Sequence, residues 1–211
     1  MRIAALGSLA NPNNTTIVPL QDETDGVKDY EYYGPMGFGS QAQPLQIDCD
    51  TGSAGTSSPL SSDRSRQLVF TDLWVPVSCT NCGTLTSFEA SASNTYRNTT
   101  RPFGVVYVSR FLSLPPCSSS LDQGSGSVSG TLAEDTVSIG PFKVYNQSFG
   151  AVQSVSENFA NSPNDGLAGM AFGTIANSHK PTFFENLIPQ LQAPLFSVYL
   201  TRNKVRGSEV S

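Results

Sequence analysis

The composition of the chain, 211 residues of which 38% are hydrophobic and 14% charged, suits a folded protein with a real core and excludes collagen, a coiled coil or wholesale disorder. Twelve basic residues stand against 17 acidic ones, for a net charge of −5. Nucleic acid is therefore not an expected partner, because phosphate neutralisation needs clustered Lys and Arg. No run approaches the roughly 20 apolar residues of a membrane span, so no membrane partner is expected either.

Plentiful Gly, Pro, Ser and Thr favour many short strands joined by turns. Residues 1–29 read as an irregular polar tail or the remnant of a pro-segment. The opening "MRIAALGSLANPNN" is close to the minimum for a signal peptide. The folded unit is expected over residues 30–211, beginning at "YEYYGPMGFGS". Strand-length apolar stretches follow at "LQID", "DLWVPV", "FGVVY", "SVSGTLAEDTVSIG", "QSFGAVQSV" and "LFSVYL". This spacing predicts an all-β sandwich or barrel-like assembly. One helix is predicted near 182–191, where Thr182 and Glu185 form a capping box and Phe184, Leu187, Ile188 and Leu191 share a face.

Cys79 and Cys82 in C-T-N-C fit half a zinc site, a redox pair or a loop-closing disulfide. A complete zinc site would need two further ligands, for which the chain offers only the single histidine His179 and two scattered cysteines, and the disulfide is the preferred reading. Such a bridge implies an oxidising compartment. The N-x-S/T triplets at Asn14, Asn98 and Asn146 fit secretion. The "GSGSVSG" run has its third Gly one position late for a phosphate-cradling loop, so hairpin chemistry explains it better than nucleotide binding.

The segment "LQIDCDTGSA" runs an apolar strand into Asp50-Thr51-Gly52. Alone, D-T-G is a strand ending in a turn. Downstream come "DLWVPVSC", "GSGSVSGTLAEDTVSIG", "DGLAGMAF" and "FSVYL", in that order. From about Tyr30 to the end this series resembles the N-terminal lobe of the pepsin-like aspartic endopeptidases, in a fungal-looking variety. The resemblance implies a bilobal all-β fold in which each lobe supplies one D-T/S-G loop. Two facing carboxylates would hold a water and share a proton. One would deprotonate the attacking water and the other protonate the peptide carbonyl oxygen, a chemistry favoured at acid pH.

The same resemblance makes Asp50 one member of that dyad, with Thr51 and Gly52 shaping its loop. Tyr107 would be the tyrosine of a hairpin flap whose tip is Gly124, Ser125 and Gly126, and Trp74 would buttress it. Asp165 and Gly166 would lie in a structural loop beneath the site. Asp48, two residues before Asp50 and able to share its strand face, is read as a solvated strand residue. The implied substrate is a peptide or protein cut between apolar side chains, with no cofactor and no metal, in a secreted or vacuolar setting.

The chain departs from the family pattern in three places. Residues 55–71 separate Ala54 from Asp72, and residues 108–123 separate Tyr107 from Gly124, bringing in Cys117. Both insertions interrupt expected active-site elements, where displacement of a group by about 1 Å is costly. Codon choice permits matched splice donors and acceptors at both, so they read as translated introns, with genuine loop insertions the alternative. The third departure is that no second D-T/S-G follows. The chain as written is expected to be truncated and inactive alone. A homodimer offering two copies of Asp50 is the alternative source of a pair. A non-catalytic peptide or protein binder and a non-functional fragment are the competing readings of function.

Overall fold

A computed structural model describes residues 2–5, 16–24, 29–51, 73–107, 126–171 and 181–200. Both insertions, Gly52, Gly124, Ser125, Asn14, Cys117 and His179 lie outside these residues.

Eleven strands dominate the described residues, as the strand-length apolar stretches predict. They are β1 (Arg2–Ala5), β2 (Thr16–Pro19), β3 (Gln21–Thr24), β4 (Asp29–Phe38), β5 (Gln43–Asp50), β6 (Leu73–Pro76), β7 (Arg97–Tyr107), β8 (Gly126–Ile139), β9 (Phe142–Val155), β10 (Gly166–Gly169) and β11 (Ser197–Tyr199). Eight of them form one mixed sheet in the order β3-β4-β5-β10-β6-β9-β8-β7, with β4 also pairing β8. The remaining three form a small sheet, β11-β1-β2.

Three of these strands correct the reading of residues 1–29 as irregular. Each is four residues long, and β1 finds its antiparallel partner in β11, nearly the whole chain away. Local patterning carries no trace of such a pairing. A second correction concerns Gly166, expected in a loop. Gly166–Gly169 is instead a strand, parallel to β5 and antiparallel to β6.

The core follows from period-2 alternation. In β5, Leu45 and Ile47 are 1% and 0% exposed, and Cys49 on the same face packs against that cluster; Gln46, Asp48 and Asp50 take the opposite face. Phe38, Phe88 and Phe149 meet edge-on or tilted at centroid separations of 5.7–6.2 Å, an arrangement that adds to their area burial. The β8–β9 hairpin turns on Gly140 and Pro141. Gly140 has φ +54° and Pro141 cannot, so the pair meets the demand of a II′ turn for positive φ at its first residue alone.

The expected helix is present but short. It runs Phe183–Leu187 (α2), with the Thr182/Glu185 capping box formed, and continues as a 3-10 turn over Ile188–Gln190. Pro189 has no N–H to extend the α-helical ladder. Its buried anchors are Phe183 and Leu187, so Phe183 replaces Phe184 in the predicted stripe. A four-residue helix at Glu157–Ala160 (α1) had no clear signal in the sequence. No helix among the described residues is long and apolar enough to cross a membrane.

Candidate active site

Asp50 ends β5, where β10 holds its main chain. Gly169 is its register partner, and the Met170 N–H donates to the Asp50 carbonyl at 2.7 Å. Asp165 anchors the approach from behind. Its carboxylate accepts from the backbone N–H of Gln46 at 2.8 Å and of Thr86 at 2.7 Å, and its own N–H donates to the Gln46 carbonyl. A charged acceptor fixing two backbone donors is a strong local tie. It explains why an aspartate is buried here, 8% exposed, before a Gly-rich strand.

Asp50 and Thr51 line an open concavity of about 440 Å³ with Glu31, Asp48, Val198 and Leu200. Its two halves differ. The acidic half comes from the non-core face of β4 and β5: Tyr33 is the register partner of Asp48, and alternation puts Glu31 and Asp50 on that same face. The apolar half comes from β11 and the residue after it, with Val198 39% and Leu200 49% exposed.

Asp48 is not the solvated residue expected. It is half-buried, and desolvation, followed by the charges of Asp50 and Glu31, raises its pKa to about 7. Glu31 is raised for the same leading reason, and its buried Oε2 has no hydrogen-bond partner among the described residues. Between the two aspartates sits Cys49, whose thiol is pushed to about 12 by burial and by Asp48. That thiol is therefore a poor nucleophile despite its position.

A carboxyl whose pKa is higher folded than unfolded binds its proton more tightly in the native state. Stability linked to Asp48 is thus fully present below its ordinary value of 3.8 and lost as pH rises through the window to about 7. Asp48→Asn should remove this penalty. Its urea midpoint should exceed that of the parent at pH 7.5 and match it at pH 3.5; equal midpoints at both would refute the assignment.

A second group stands at the ends of β7 and β8. The Trp74 indole N–H donates to the Tyr107 hydroxyl at 2.8 Å, the contact expected of a buttressing tryptophan. Phe159 of α1 packs edge-on against both rings, at 5.6 Å from Trp74 and 5.4 Å from Tyr107. Gly126 lies opposite Tyr107 in register and has φ +148°, and a Cβ there would come within 2.6 Å of the Phe159 ring. Phe159 is the member that sequence reasoning missed.

Cys79 and Cys82 are joined in a disulfide with Cα atoms 5.7 Å apart, as preferred over a zinc half-site or redox pair. No group of three or more His, Cys, Asp or Glu among the described residues is arranged to hold a metal ion.

Comparison with known proteins supplies the family. The eukaryotic aspartyl protease family model matches residues 31–114 and 116–211, and the chain belongs to that family. It is 33% identical to rhizopuspepsin-4 of Rhizopus niveus over 190 residues, covering 87% of this chain and 39% of that protein. Against pepsin A of Callithrix jacchus it is 31% identical over 188 residues, 86% of this chain and 40% of the relative. Against cathepsin E of Oryctolagus cuniculus the identity is 30% over 186 residues, 85% and 39%. The chain thus spans about two fifths of the length of these relatives.

Proposed function

We propose that Asp50 is one carboxylate of an aspartic endopeptidase dyad that hydrolyses peptide bonds at acid pH, with the second carboxylate supplied from outside the described lobe. The observation that carries this reading is the half-built concavity around Asp50. Its acidic wall belongs to β4 and β5, while its other wall is the exposed apolar Val198 and Leu200, surface of the kind that a further protein body covers. Thr51 and Gly52 shape the aspartate loop, and Tyr107 with Gly124, Ser125 and Gly126 forms a flap over substrate. A second lobe of the same protein is the favoured donor of the partner aspartate, ahead of a second copy of the chain. The disulfide and the family relationship support passage through an oxidising secretory route, to the medium or a vacuole. The test is cleavage of peptides with apolar residues at the scissile bond between pH 3 and 5. A full-length, folded product that binds such peptides and never cuts them would replace catalysis with binding.

The two inserted segments are proposed to be translated introns. The β7–β8 register supports this for 108–123. Tyr107 pairs with Gly126, so removing 108–123 leaves Gly124-Ser125 as a two-residue hairpin loop with Gly first, the II′ composition. For 55–71, Asp50 and Leu73 pair with the adjacent β10 residues Gly169 and Ala168. Two strand spacings, about 10 Å, separate them. The five residues left after removal span that easily. Deleting 108–123 shortens the loop from 18 residues to 2 and should raise stability by about 2 kcal/mol on logarithmic closure scaling. A deletion variant that unfolds at lower urea than its parent would make the segment part of the fold, and the spliced transcript provides an independent check.

A further inference from the structure

Strand β7 is the outer strand of the eight-stranded sheet, and its ladder with β8 breaks in the middle. Asn98 pairs with Ala133 and Pro102 with Thr131, so residues 99–101 bulge opposite the single residue Leu132. The bulge is held locally. Asn98 Oδ1 accepts from the Thr100 N–H at 2.8 Å, the Thr99 hydroxyl donates to the Leu132 carbonyl at 2.6 Å, and Thr100 adopts φ +58°. Asn98 and Thr100 are both exposed, and Asn98 Nδ2 donates to no group among the described residues.

We propose that Asn98 is an N-glycosylation site, the acceptor of an oligosaccharide from a polyisoprenyl-diphosphate donor in the secretory lumen. Its triplet, Asn98-Thr99-Thr100, has the required hydroxyl at the third position, and the Asn98–Thr100 turn rests on contacts two residues apart. That turn is available to the nascent chain as well as to the folded one. In the transfer, Asn98 Nδ2 bonds to C1 of the reducing-end N-acetylhexosamine as the bond from C1 to the diphosphate breaks. The carrier leaves as its diphosphate and the amide gives up one proton. Asn146 offers the contrasting case. Its side chain is exposed, but Gln147 and Ser148 are 1% and 5% exposed, with Gln147 accepting from the Asn186 amide and Ser148 donating to Glu134. Once β8 and β9 pair, that triplet cannot be drawn out to a transferase. On its side away from β8, the bulge at Asn98 meets no strand among the described residues, so a glycan there displaces none of their packing and shields that sheet edge from pairing with another chain.

The site rests on the secretory reading above, and the experiment separates the two. The full chain is translated behind a heterologous secretion signal with microsomes, and the protease-protected fraction is treated with peptide-N-glycosidase F in heavy-oxygen water. Asn98 should be recovered as heavy-labelled Asp. N98Q and T100A should each lose one glycan's mobility shift, and N146Q should keep it. Protected chain carrying Asn98 as unmodified Asn, or N98Q with unchanged mobility, would overturn the site. Failure of the chain to enter microsomes without the added signal bears on the secretory reading alone.

Discussion

Replacing Asp50 by Asn in the complete, peptide-cleaving protein is expected to reduce hydrolysis at pH 3–5 by at least about 10²–10⁴-fold, the usual contribution of a positioned acid–base group. The substitution is nearly isosteric. Asp50 is held by main-chain contacts, the ladder to Gly169 and the bond from the Met170 N–H, which an asparagine keeps. Thermal midpoint and peptide affinity should therefore stay close to those of the parent while turnover disappears. Asp48→Asn is the control. It removes a neighbouring carboxyl on the same face without touching the proposed reacting group, so it should move the pH profile and leave turnover at its optimum within a few fold. Equal loss in both variants would mean that the acidic wall as a whole, and not Asp50, carries the chemistry.

Trp74→Ala should have the largest effect on stability, about 3–5 kcal/mol. The indole is 3% exposed, packs against Phe159 and donates to the Tyr107 hydroxyl. Truncation opens a ring-sized void and deprives that hydroxyl of its donor. Trp74→Phe separates the two contributions. It restores most of the apolar volume and not the N–H, so its urea midpoint should fall by roughly a third as much. If Tyr107 works over the substrate, the phenylalanine variant should also raise KM more than it lowers kcat. A stability loss with unchanged KM would leave Trp74 a core residue only.

Much of this architecture was legible from residue order. Long strands such as β5, β8 and β9 announce themselves because alternating or continuous apolar residues run between turn residues, and the Thr182/Glu185 box marks the start of α2 correctly. The pairing of Trp74 with Tyr107 was legible through family resemblance, since nothing local connects residues 33 positions apart. What remained hidden depends on non-local neighbours. Strands β1 to β3 are too short to show a period. The segment Gly-Leu-Ala-Gly of β10 has turn composition, and it is a strand because β5 and β6 flank it on both sides. Alternation puts Asp48 on the face of Asp50. It says nothing of the burial that desolvates Asp48 or of Glu31 arriving from β4 to add its repulsion to that of Asp50.

The position of β10 bears on how this lobe tolerates change. Asp50 and Leu73 are both registered on one four-residue strand, and the Asp165 carboxylate clamps that strand's entrance to the Gln46 and Thr86 amides. The stem of the intervening loop is thereby fixed from below, independently of what the loop contains. Changes confined to residues 55–71 should therefore reach the aspartate less than changes in Thr51 or Gly52, which shape its loop in the proposed reading. Residues 165–170 have no such freedom, and a mutational scan should find its sharpest intolerance there, in a segment that does not line the concavity at Asp50.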